Sequence, residues 1–96
     1  MKVLYKTITA DTQVYVGRCF LVGVEYQKTA CAADRAMIVY DEASADKTAA
    51  QKVCTLCITP EKQSDRIMFP KDREPELVGI YVDWDTDGVG TVYYHL

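Results

Sequence analysis

Asp83-Trp84-Asp85-Thr86-Asp87-Gly88 has the clearest spacing for chemistry in this 96-residue chain. Three acids at alternate positions, followed by glycine, open a calcium loop of the EF-hand kind, where carboxylates converge on the ion and glycine allows the sharp turn. The twelfth position of such a loop supplies a bidentate glutamate, and here it is Tyr94. In an extended segment Asp83 also points away from the side that Trp84 takes, so the carboxylates need not converge. The segment therefore reads as an acidic, solvated hairpin turn, and no metal is assigned to Asp83, Asp85 or Asp87.

The four cysteines are Cys19, Cys31, Cys54 and Cys57. Cys54-Thr55-Leu56-Cys57 has the spacing of half a zinc site, but zinc needs both thiolates aimed at one point. An alternating strand throws these two sulfurs to opposite faces, and Cys19 and Cys31 do not form a second such pair. An even count in a short chain signals disulfides in a secretory context. The opening Met1-Lys2-Val3-Leu4-Tyr5-Lys6 has no apolar signal region, so the thiols are expected to be free and buried or half-buried.

Catalytic groups do not assemble in the sequence. The single histidine, His95, sits at the end of the chain, and no G-x-S-x-G elbow presents a nucleophile. Glu74 and Glu76 flank Pro75 in an expected loop with no cleft beside them, a poor setting for paired-carboxylate glycoside chemistry. The five glycines are scattered and form no phosphate cradle. The chain is expected not to be an enzyme, with no catalytic, cofactor-binding or metal residue and no cofactor.

The elements around these residues are strands. Residues 18–26 alternate, with Phe20, Val22, Val24 and Tyr26 on one face and Cys19, Leu21, Gly23 and Glu25 on the other. Further strands are read over residues 3–9, 36–41, 53–58, 67–69, 77–84 and 90–96, with 14–16 pairing weakly or joining the strand that follows. In the last two runs Val78, Ile80, Val82 and Trp84 share a face, as do Val92, Tyr94 and Leu96. Residues 41–52 hold helix-forming alanines but no apolar stripe at helical spacing, and read as a connecting loop. Seven or eight short strands at such spacing predict one all-β domain over residues 1–96, an antiparallel β-sandwich of jelly-roll type.

A chain of this size hides roughly 65% of its unfolded surface on folding, which leaves a thin stability margin. The net charge of −3 and pI near 5.0, with acids and bases interspersed, argue against nucleic acid as the main partner. No apolar run has the roughly 18 residues that span a bilayer. The seven tyrosines, Tyr5, Tyr15, Tyr26, Tyr40, Tyr81, Tyr93 and Tyr94, are too many to be core in so small a domain. Several are expected on an oligomer or partner surface, where tyrosine offers rigid area and a hydrogen-bonding tip.

Leu4-Tyr5-Lys6-Thr7-Ile8-Thr9-Ala10, the strand over residues 17–26, Ala36-Met37-Ile38-Val39-Tyr40-Asp41 and the closing Thr91-Val92-Tyr93-Tyr94 together resemble small β-rich structural proteins from the virions of tailed bacteriophages. The resemblance is of texture and order over most of the chain. It implies a sandwich and a virion role, foremost a capsid decoration or cement protein on the outer face of the shell. The implied partners are the major capsid protein or other virion proteins and further copies of the chain, as a trimer or at a local symmetry axis. No ligand residues are implied, and the cysteines and residues 27–34 depart from the texture. Other roles that fit are a neck, tail or head-fibre component, a carbohydrate-binding sandwich using exposed tyrosines, Trp84 and calcium, or a host-directed inhibitor. The chain is expected to be made in a host cytoplasm without a signal peptide and to end in the virion.

Overall fold

β-Branched and aromatic residues fit a pleated surface buried on one side, and they set the seven strands found in the computed structural model, which describes residues 2–29, 33–44 and 51–96. The strands are β1 (Leu4–Ile8), β2 (Thr12–Lys28), β3 (Arg35–Asp41), β4 (Gln51–Ile58), β5 (Ser64–Met68), β6 (Glu76–Asp83) and β7 (Gly88–His95). All pair antiparallel in one sheet of order β1-β7-β2-β6-β3-β4, with β5 also on β2. There is no helix among the described residues, and hence none long and apolar enough to cross a membrane.

The architecture turns on β2. Residues 12–20 pair with β6, whereas residues 20–28 pair with β7 along the opposite edge. Yet β6 and β7 are joined by only residues 84–87, a connection that spans about 17 Å at full stretch. A straight strand of this length would separate its ends by about 53 Å, more than the longest molecular dimension of 37 Å. β2 must therefore fold back on itself. Both of its ends reach the same connection: Trp84 N–H donates to Asp11 Oδ1 at 2.8 Å, and Thr29 N–H donates to the Asp87 carbonyl at 2.9 Å.

Three register shifts supply the bend, between Gln13 and Tyr15, between Val16 and Cys19, and between Leu21 and Gly23. Extra residues of this kind kink a strand and increase its twist. Gly17 lies in the second shift with φ of 125°, a conformation that disfavours any side chain. The Gln13 amide fills the first, with its Nε2 within 3.1 Å of the carbonyls of Tyr15, Glu42 and Ile80.

Folding β2 brings the two halves of the sheet over one core. Ile8, Cys19, Leu21, Val24, Tyr26, Met37, Val39, Leu56, Ile58, Ile80, Val82 and Val92 are fully buried in it. The halves touch at Met37 of β3 and Gly90 of β7: a Cβ on Gly90 would meet the Met37 sulfur and make that side chain shift. The result is one hydrogen-bonded sheet curled on itself, compatible with the expected sandwich. Where β4 comes alongside β5, Asp65 closes the seam by accepting the Cys57 N–H at 2.9 Å. Burial alone would push the Asp65 carboxyl up, but hydrogen bonds from Cys57, Lys62 and Arg66 outweigh it and hold the group below its ordinary value.

Four sequence expectations change. The turn before β7 is not a hairpin, because β2 lies between β6 and β7; it is an arch from one half of the sheet to the other. The single face drawn through Phe20, Val22, Val24 and Tyr26 breaks at the third shift. Val24 and Tyr26 join Cys19 and Leu21 inside, while Phe20 and Val22 turn outward. On β6, Leu77 enters the core and Val78 is exposed, and Leu96 is exposed as well. Of the expected 41–52 connection, Asp41 ends β3 and Gln51 begins β4, while residues 45–50 lie outside the described residues.

The arch depends on a buried phenol. The Tyr26 hydroxyl lies 3.1 Å from the Asp85 carbonyl and 2.9 Å from that of Thr86, with the residue wholly buried. Tyr26→Phe leaves those carbonyls without their donor and is expected to cost about 1–3 kcal/mol, read as a lower midpoint in urea unfolding with an unchanged slope.

Candidate binding face

The strand registers fix which residues share the outer side of the half formed by β1, β7, the second part of β2, and β5. Tyr5 is opposite Tyr93, Tyr93 opposite Gly23, and Gly23 opposite Met68. The four form one row across four strands, with the Met68 side chain lying over Gly23. Tyr5 is 71% exposed and Met68 44%, so the row presents an aromatic ring and a thioether to solvent.

One strand pair on, Thr7, Thr91, Glu25 and Arg66 form a polar row. The Tyr93 hydroxyl donates to Glu25 Oε1 at 3.2 Å, and Arg66 Nε lies 3.8 Å from the same oxygen. Desolvation raises the Tyr93 phenol above its ordinary value, and the hydrogen bond and charge of Glu25 raise it further.

On the other side of the aromatic row the surface dips into a cleft of about 590 Å³. Its apolar walls are Val3, Phe20, Val22 and Phe69, and its polar lining is Lys71, Asp72, Glu74 and His95. The outward kink of β2 makes one wall. The 69–75 loop, which interrupts the run from β5 to β6 along β2, makes the other. Two backbone bonds clamp this loop to the kink, Phe69 N–H to the Val22 carbonyl at 3.0 Å and Leu21 N–H to the Pro75 carbonyl at 3.1 Å. Within it Asp72 has φ of 67°, and its N–H donates to Glu74 Oε2 at 3.1 Å.

His95 is buried at the cleft floor, stacked on Phe20 with ring centroids 4.9 Å apart. Its Nε2 lies 3.7 Å from Glu74 Oε1. Sequence reasoning missed this pairing: Glu74 and His95 are far apart in the chain, and no cleft was expected beside Glu74. Glu76 goes elsewhere, 3.1 Å from Arg18, whose guanidinium lies over the Phe20 ring. The cleft lining holds an imidazole, carboxylates and the Lys71 amine, and neither a hydroxyl nor a thiol.

The residues singled out for metals are arranged differently. Asp87 Oδ2 lies 2.9 Å from Arg35 Nε and Asp85 Oδ1 4.0 Å from Arg35 Nη1, so both acids turn toward β3. Among the described residues no three metal-ligating side chains gather at one point. Trp84 packs against the core, and its indole N–H donates to the Gly88 carbonyl at 3.0 Å. Cys19 is a buried free thiol, Cys54 half-buried and Cys57 exposed rather than covered, while Cys31 lies outside the described residues. Burial pushes the Cys19 and Cys54 thiols up to about 11, aided by the charges of Asp41 and Asp65 respectively.

The tyrosine expectation narrows to one side of the molecule. Tyr26, Tyr40 and Tyr81 are buried, Tyr15 and Tyr94 are half-buried against each other at 5.7 Å, and the exposed ring is Tyr5 beside half-buried Tyr93. No family model matches the chain, and no match is found among curated proteins or solved structures.

The Tyr93–Glu25 bond gives the face a titratable marker. Glu25→Gln removes the carboxylate charge and is expected to move the Tyr93 phenol down toward its ordinary value, followed by nuclear magnetic resonance of a ring-labelled tyrosine. A titration that does not move would show that the bond is not made.

Proposed function

We propose that this chain is a non-enzymatic structural protein of a tailed-phage virion that decorates the outer face of the capsid shell. The observation that carries the binding role is the outer surface that gathers exposed Val3, Tyr5 and Met68 with half-buried Tyr93, Phe20 and Phe69 on one side of the sheet. Aromatic residues and methionine at the centre, with arginines at the margin, match the composition of protein interfaces. The virion setting rests on the sequence resemblance alone. A small, internally braced β domain that folds first and then adds to a lattice suits that setting.

The carbohydrate alternative has less support. Trp84 packs against the core, and Asp85 and Asp87 face Arg35, an arrangement that favours a sugar platform with bound calcium less than an open acidic turn would. The neck, tail or fibre alternative places the chain elsewhere in the virion, at a different copy number. Quantitative mass spectrometry of purified particles separates them: a decoration protein is expected at a copy number that follows the shell lattice. A single ring's complement would indicate the neck or tail, and absence from the particle would end the virion reading.

A further inference from the structure

We propose that the aromatic outer face joins two copies of this chain about a two-fold axis. The inference rests on reading that face as a protein-docking surface, and it names the first occupant as a second copy.

Charge is the first argument. A two-fold contact sets a patch against itself, so any net charge on the patch repels its own copy. Here charges flanking the apolar rows are paired within the molecule: Glu25 with Arg66 at 3.8 Å and Arg18 with Glu76 at 3.1 Å. Lys71, Asp72, Arg73 and Glu74, consecutive on the loop, alternate in sign and sum to zero. The face can meet its own copy without a like-charge penalty.

Shape is the second. The same patch carries a projection, Tyr5 at 71% exposure, and a hollow, the 590 Å³ cleft that begins at Val3 two residues away. In an isologous contact each feature meets its counterpart twice. The Tyr5 ring of one copy then enters the partner cleft between Phe20 and Phe69, and the exchange is repeated across the axis.

The open edge of β1 is a poorer route to pairing. Lys6 sits mid-strand with Lys2 just before it, and charged lysines on an edge strand oppose strand addition. Association through the face leaves these lysines at the rim.

Sedimentation equilibrium of the full chain across a concentration series tests the proposal. The wild type is expected to be a monomer–dimer system. Tyr5→Glu and, separately, Met68→Glu are each expected to weaken the dimer by at least about tenfold, whereas Val78→Glu, on exposed β6 surface, leaves it unchanged. Circular dichroism of each variant checks that the fold persists. A wild type that stays monomeric, forms trimers, or dimerises regardless of both face variants overturns the proposal. Incorporation of the same variants into particles is scored in parallel. If the wild type is monomeric but Tyr5→Glu is lost from particles, the docking face stands and self-pairing falls; if Tyr5→Glu and Met68→Glu both retain incorporation and sedimentation is unaffected, both readings fall.

Discussion

Both ends of β2 are tied to one short arch. Trp84 N–H meets Asp11 at the start of the strand, Thr29 N–H meets the Asp87 carbonyl at its end, and the Tyr26 hydroxyl reaches the carbonyls between. A 17-residue strand can satisfy these contacts only by folding over. Once it does, β6 and β7 lie on opposite halves of the sheet, the halves share one core, and a single antiparallel sheet encloses what two sheets otherwise would. Arg35 reinforces the arch by holding Asp87, so the most acidic turn in the chain acts as a brace between β3 and the β6–β7 connection.

The kink that folds β2 also builds its surface. One extra residue near Val22 reverses which side chains point inward, keeping Val24 and Tyr26 in the core and turning Phe20 and Val22 out. The 69–75 loop is clamped to the backbone of the same kink, which opens the cleft between Phe20 and Phe69. Beside the cleft, cross-strand register lines up Tyr5, Tyr93 and Met68 without any further device. Stability and exposure are thus coupled: the same residues 20–23 fold the strand and set the shape of the face.

Much of the fold was legible because β propensity and period-two alternation are local. Each of the seven strands has a counterpart in the sequence reading, and Leu56 and Ile58 against exposed Thr55 and Cys57 follow strict alternation. Asp-Thr-Asp-Gly at the arch has hairpin chemistry, and nothing local reveals that a third strand intervenes. The reversal at Val22 was equally hidden, since a bulge changes face without changing composition. The site was less legible than the fold. Tyr5 and Tyr93 could be suspected as surface aromatics, but their alignment with Met68 needs the register of three strand pairs. The Glu74–His95 pair needs a loop closing on the far end of the chain.

The central claim is that the outer face of β1, β7, β2 and β5 is the working surface. Hydroxyl-radical footprinting, comparing the chain diluted until it is monomeric with the chain assembled on particles, tests it most directly. Strong protection of Tyr5, Met68 and Phe69 is expected on assembly, with exposed Val16 and Val78 still reactive. Protection of Val16 and Val78 with Tyr5 and Met68 unchanged would contradict it.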